Sequence, residues 1–403
     1  MDYDVIVIGG GPIGCATARD IAAAGFRVLV AEEHPQIGAP LRCAGLVSTR
    51  TLQLSRVSPK VIRHKLTGAR VHSPGGDVLN LYGSRVYALA IDRVAFDRDL
   101  AAQAAAAGAE IAYSMRAVDL QLIPGGVRVM LRQSGSRNNN IKEFTCRLVV
   151  GADGYRSLVA RRLGILPKGE KVPLYAAEVE LPNSDRQIVD IFIGNQVAPG
   201  WFGWVIPAGQ GMARIGIGAP RRPQKHFQQL VEANPGIFQG MRILQCTSGY
   251  VPVYFQDKSY GGHCLLVGDA AGHVKPISGG GLFFGLRCAE LCADTAVDAL
   301  DSGDLSEMSL SRYQEKWEKT VGQEIRCGLK HREVFLDLTD EDMDELIRFF
   351  NKPYWCKLIL KYGDLDYHSK LAGRLANLPH WAKHFVKNSI KLMMVGCGMV
   401  DFM

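Results

Sequence analysis

Three glycines and one carboxylate carry the first chemical signal. Gly9, Gly11 and Gly14 stand at G-x-G-x-x-G spacing in Gly9-Gly10-Gly11-Pro12-Ile13-Gly14, directly after the apolar run Val5-Ile6-Val7-Ile8. Backbone N–H groups at such a strand-to-helix turn, with the helix dipole behind them, receive a diphosphate. Glu32 closes the next apolar run, where a carboxylate accepts hydrogen bonds from a ribose diol; Glu33 is its neighbouring alternative. Far along the chain, Asp269 in Leu266-Val267-Gly268-Asp269-Ala270-Ala271 precedes Pro276-Ile277-Ser278-Gly279-Gly280-Gly281-Leu282, a glycine run opening a helix whose free N–H donors favour negative charge. Arg93, in Ile91-Asp92-Arg93-Val94-Ala95-Phe96-Asp97, is either a ligand-facing cation or half of a surface ion pair with Asp97. Cys43 sits in Pro40-Leu41-Arg42-Cys43-Ala44-Gly45, where small residues let backbone approach a ligand and Arg42 favours thiolate; the alternative is a cysteine kept for its size. Trp201, Phe202 and Trp204 concentrate aromatic surface, either as the wall of an apolar pocket or as core.

These groups need elements to hold them. The pattern predicts a strand over Asp4–Ile8, a helix over Gly11–Ala24 and a strand over Arg27–Ala31, which is half of a dinucleotide fold. A helix over Phe96–Ala107 follows, then strands Gly126–Leu131 and Glu143–Val150 flanking a polar turn. Segments Gln187–Ile193, Gly203–Ile206 and Ala213–Gly218 make 171–255 β-rich. The chain then returns through a buried strand, Cys264–Val267, to a helix over Gly281–Leu300, and is helical from about 308.

With 403 residues, 47% of them hydrophobic, the chain can bury one large core or two sharing a boundary. Its net charge of +7 is spread without a basic block, which excludes a nucleic-acid binder. Ten cysteines without a C-x-x-C pair argue against structural zinc, and no metal is expected; Cys288 and Cys292 are read as core. No apolar run reaches the roughly 18 residues of a membrane span. The opening strand carries no targeting pattern, so a cytoplasmic protein is expected. Lys383, Lys387 and Lys391 fall at i, i+4, i+8, largely off the face of Trp381, Phe385 and Ile390, and predict peripheral contact with the inner face of the membrane.

Val149-Val150-Gly151-Ala152-Asp153-Gly154-Tyr155-Arg156-Ser157 and the Asp269 segment resemble the two downstream fingerprints of the flavoprotein hydroxylase superfamily, and Phe202 to Gly218, with Pro40 to Gly45, resembles the geranylgeranyl reductases within it. The likeness spans roughly residues 1 to 320, and the archaeal enzymes that saturate digeranylgeranylglycerophospholipids are the nearest relatives it suggests. Phe202 stands in place of the family's tyrosine, Ala208 in place of its lysine, and Cys43-Ala44 in place of Cys-Gly. The resemblance implies an α/β fold: a Rossmann-like FAD-binding domain over 1–170 and 256–307, an inserted β-rich substrate domain over 171–255, and a helical C-terminal region over 308–403. It implies FAD held by Gly9, Gly11, Gly14, Glu32, Ala44, Arg93, Val118, Asp269, Gly281 and Leu282. Cys43 is then the catalytic thiol, and Phe202, Trp204 and Pro207 line a prenyl-lipid pocket. The electron donor is external, whether ferredoxin, NADPH or another reductant. A flavin hydroxylase of an apolar or aromatic substrate and a quinone-linked flavin electron-transfer protein are the alternatives. Phe202-x-Trp204-x-Ile206-Pro207 also approaches the W-x-W-x-I-P string of flavin halogenases but lacks its first tryptophan.

Overall fold

The computed structural model describes residues 1–39, 43–135, 140–166, 168–182, 184 and 186–371. β1 (Tyr3–Ile8), α1 (Pro12–Ala23) and β2 (Val28–Ala31) form a parallel crossover, with Val5 opposite Val28 and Ile8 opposite Ala31. Four consecutive residues, Val5 to Ile8, are buried because both faces of this sheet are covered. Val5 and Val7 pack with α1 and the helix Leu282–Ser302, while Ile6 and Ile8 pack with the opposite layer around Leu120, Val127 and Val149. Pro12 starts α1 without cost, since the first helical N–H has no partner inside the helix.

The eight-stranded sheet has a parallel core ordered Cys264–Leu266, Ile141–Gly151, β1, β2, Glu110–Ala112. The expected hairpin is present: Gly126–Gln133 pairs antiparallel with Ile141–Gly151, and a further strand, Met115–Ile123, extends it.

The seven-stranded second sheet runs Arg242–Val253, Glu170–Glu180, Met212–Gly218, Gly203–Gly209, Ile188–Phe192, Gly68–His72, Val78–Tyr82. Its last two strands come from within 1–170, the stretch expected to serve the first sheet. Gly68–His72 pairs in parallel with Ile188–Phe192, and Arg70 Nε bonds Asp190 Oδ1 at 2.6 Å across the junction. A small sheet of Leu46–Val47, Ala88–Ile91 and Ile62–Leu66 packs on Gly203–Gly209.

Helices Glu307–Trp317, Gln323–Asp337, Asp340–Phe350 and Pro353–Tyr362 follow, as the helical pattern predicts. Cys288 and Cys292 are fully buried in the main apolar cluster. Among the described residues no helix is long and apolar enough to cross a membrane. Lys383, Lys387 and Lys391, like Arg42, lie outside the described residues.

Candidate cofactor and active site

The glycines of the first turn do different jobs. Gly9 has φ +105°, and a Cβ there would lie 2.4 Å from the Ala152 carbonyl oxygen; a Cβ on Gly14 would lie 2.0 Å from the Gly9 carbonyl oxygen. Both are needed for the turn to close. Gly11 has ordinary extended geometry (φ −69°, ψ 175°), and its Cβ position meets no atom within 4 Å. Its glycine therefore leaves room in front of the helix N-terminus. Beside it, Asp153 Oδ2 accepts from the Leu158 N–H at 2.6 Å, while Oδ1 is buried without a partner. Burial pushes this carboxyl upward against its hydrogen bonds.

Glu32 is 8% exposed and already oriented. Its Oε2 accepts from the Gly10 N–H at 2.8 Å; its Oε1 accepts from the His34 N–H at 2.8 Å and faces His34 Nδ1 at 2.6 Å. Glu33 instead points outward to Arg116 at 3.6 Å. Val118 is the extra residue of a β-bulge, for Asp119 pairs with Met130 and Ala117 with Leu131. Its strand begins at Met115, whose N–H donates to the Glu32 carbonyl at 2.7 Å.

The second half of the site gathers Asp269, Gly281, Arg93 and the loop of Cys43. Asp269 lies in a turn at Gly268–Ala271, with Oδ1 3.2 Å from the Cβ position of Gly281, so the carboxyl sits at the mouth of the helix Leu282–Ser302. Burial raises its carboxyl to about 6, and Arg93 acts in the opposite direction. Arg93 is buried rather than at the surface. Burial works against its charge, but Asp97, with hydrogen bonds at 2.9 and 3.0 Å, and Cys43 more than reverse this. The described cation at Cys43 is thus Arg93.

Arg214 ties the seven-stranded sheet to the small sheet at this point. Its Nη1 donates to the Ala44 carbonyl at 3.1 Å and the Ile91 carbonyl at 2.8 Å. Gly45, with φ +68°, makes room for it, since a Cβ there would lie 2.2 Å from that nitrogen. The Gly45 N–H reaches Cys43 Sγ at 3.4 Å.

Phe202 is half-buried and stacks on Trp201 at 5.3 Å, with Trp204 tilted beside it at 5.8 Å. Phe202 and Ala44 border the same apolar cluster as Trp204, Leu46 and Leu365. Trp201 is 1% exposed and fills core, held between Arg332, 4.7 Å from its ring, and Gly218. Gly216 and Gly218 serve these rings: a Cβ on either would lie 2.1 Å from Trp204 or Trp201. Strand alternation places Pro207 with Val205, on the face opposite Trp204 and Ile206.

A model described as an FAD binding domain matches residues 2–316. The chain belongs to that family of FAD-binding proteins. It is 31% identical to digeranylgeranylglycerophospholipid reductase 2 of Methanothermobacter thermautotrophicus, over 86% of this chain and 91% of the relative. It is 33% identical to digeranylgeranylglycerophospholipid reductase of Methanosarcina acetivorans, over 85% and 87%. A geranylgeranyl bacteriochlorophyll reductase-like protein from Thermoplasma acidophilum superposes with a TM-score of 0.83 at 25% identity, covering 97% of this chain and 99% of that one. The chain is therefore an FAD-dependent oxidoreductase of the Rossmann-like flavoprotein fold.

The residues present fit FAD: open space before Gly11, an oriented acid at Glu32, and a buried acceptor at Asp153 with no partner among the described residues. Sequence reasoning passed over Asp153, His34 and Arg214. Asp153 was visible as the acid of its fingerprint; Arg214 was visible as the one charge in Ala213-Arg214-Ile215-Gly216-Ile217-Gly218.

Proposed function

We propose that this enzyme saturates C=C bonds in the geranylgeranyl chains of an archaeal-type ether phospholipid or its precursor. The observation that carries this reading is the near full-length likeness to digeranylgeranylglycerophospholipid reductases. The geometry supports it, because the Cys43 loop, clamped by Arg214, borders an apolar wall of Phe202, Trp204 and Leu46 suited to a hydrocarbon.

An isolated trisubstituted alkene has no carbonyl to draw in electrons, so its reduction needs hydride at one carbon and a proton at the other. FAD bound here and reduced by an external two-electron donor would supply the hydride. Gly9, Gly11, Gly14 and Glu32 would hold its diphosphate and ribose end, with Val118 among the binding residues. Asp269, Gly281, Leu282, Ala44 and Arg93 would hold the end at which chemistry occurs. Phe202 and Trp204 orient the prenyl chain and exclude water. Cys43 delivers the proton from its thiol and is reprotonated from solvent, which balances one alkene against two electrons and two protons.

The test is incubation of the holoprotein with dithionite and a digeranylgeranyl ether phospholipid under nitrogen. The lipid should gain two hydrogens for each bond reduced. Oxygenated products, or oxygen consumption stoichiometric with turnover, would instead assign a hydroxylase.

A further inference from the structure

The glycine run ahead of the helix Leu282–Ser302 is closed from behind by Lys275. The Lys275 N–H donates to the Gly280 carbonyl at 3.3 Å, and the Gly279 N–H donates to the Lys275 carbonyl at 2.9 Å. The side chain does not run to solvent. Lys275 is 6% exposed, its Nζ donates to the Leu365 carbonyl at 2.7 Å and to Asp366 Oδ1 at 3.2 Å, and it stands 3.1 Å from the Cβ position of Gly280.

Asp366 is itself 1% exposed, and its Oδ2 takes Arg50 Nε at 3.2 Å. Arg50, which also pairs with Asp364, lies 5.7 Å from the ring of Phe283 and 5.3 Å from that of Tyr367. Burial depresses Lys275, and the Asp366 carboxylate counters it. An ammonium is retained in such a place only where acceptors replace its lost hydration. Both acceptors here come from the segment just after the last described helix, some 90 residues away in sequence. A loop closed by main-chain bonds has no need of this charge.

A glycine run at a helix N-terminus already favours negative charge in front of it. Uptake of two electrons and one proton leaves a bound flavin one unit more negative, so a fixed cation behind the run favours the reduced form. We propose that Lys275, held charged by Asp366 as its positioning residue, raises the reduction potential of FAD bound before the loop Pro276–Leu282. This rests on the assignment of the flavin ring to that loop.

The experiment compares the flavin midpoint potential, by equilibration with a redox dye, in wild-type holoprotein, Lys275→Met and Lys275→Arg. Lys275→Met keeps the stem, and Asp366 keeps Arg50 as partner. At fixed poise the reduced-to-oxidised ratio should fall at least tenfold in Lys275→Met, about 30 mV for a two-electron couple, and stay near wild type in Lys275→Arg. If Lys275→Met releases FAD, the double variant Lys275→Met/Asp366→Asn, which buries neither charge, carries the same measurement. Wild-type potential in Lys275→Met or the double variant overturns the proposal. So does loss of FAD from both with unchanged apoprotein melting, since Lys275 would then be a binding residue. A folded wild-type chain that takes up no FAD overturns the cofactor assignment instead.

Discussion

Gly11 and Gly14 lie three residues apart in one turn, yet substitution should separate cofactor binding from folding. Gly11→Val places its side chain where the Cβ position has no atom within 4 Å, on backbone of φ −69° that any residue adopts. The apoprotein should therefore change by no more than about 0.5 kcal/mol. Gly14→Ala drives a methyl to within 2.0 Å of the Gly9 carbonyl oxygen, which cannot be relieved without moving the turn. Overpacking of that kind costs about 1–3 kcal/mol. Binding of FAD at a hundred times its Kd stabilises the wild type by about 2.7 kcal/mol. The assay is thermal melting of stripped protein with and without FAD, together with flavin absorbance after desalting. Wild type and Gly11→Val should melt together as apoproteins, and only the wild type should gain from FAD and elute yellow. A yellow Gly11→Val, or an apo melting point as low as that of Gly14→Ala, would refute the view that Gly11 is kept clear for a ligand.

Cys43→Ala should slow single-turnover lipid reduction about a hundredfold or more, in the range expected for loss of a general acid, while Cys43→Ser retains part of the rate; equal native rates in both, with FAD bound, would leave Cys43 as packing. Arg214→Met removes donors to two loop carbonyls and should cost about 1–3 kcal/mol in chemical denaturation, with reduction impaired and FAD retained; an unchanged denaturation midpoint would show that the clamp carries no load. Asp269 has a folded-state value of about 6 against an ordinary 3.8, so its contribution to apoprotein stability is full at low pH and is lost as pH rises through 6. Asp269→Asn should therefore gain stability relative to wild type between pH 4 and 6.5, read as a widening difference in melting temperature; a constant difference would contradict a raised carboxyl.

Local demands were legible in the sequence, and pairings between distant segments were not. Gly9, Gly14 and Gly45 sit where a Cβ has no room, and such needs leave glycine strings wherever a backbone turns against a neighbour. Glu32 was distinguishable from Glu33 because it directly closes the apolar run of the second strand. The strands Gly68–His72 and Val78–Tyr82 were not foreseen in the second sheet, since the parallel partner of Gly68–His72 lies about 120 residues on and alternation says nothing about which edge a strand joins. Pro207 was grouped with Trp204 by proximity in the string, although strand period two turns it to the other face. Arg42, adjacent in sequence, lies outside the described residues; among those described, Arg93, brought to Cys43 by a helix fifty residues later, is a cation that sequence adjacency does not reveal. Val118 was expected in the cofactor shell, but the bulge that singles it out depends on register with Gly126–Gln133 and leaves no mark in composition.

The route of the chain between its sheets has a consequence for biosynthesis and engineering. The second sheet takes two strands from 68–82 and the rest from 170–253, and the first sheet is completed only by Cys264–Leu266. Neither layer can finish while the nascent chain is shorter than about its first two-thirds, so folding on the ribosome must hold apolar strands of both sheets unpaired for most of synthesis. The same interleaving defeats modular surgery. Excising 171–255 strands Gly68–His72 without its parallel neighbour, so a foreign pocket grafted onto this cofactor platform must bring a replacement edge for that strand.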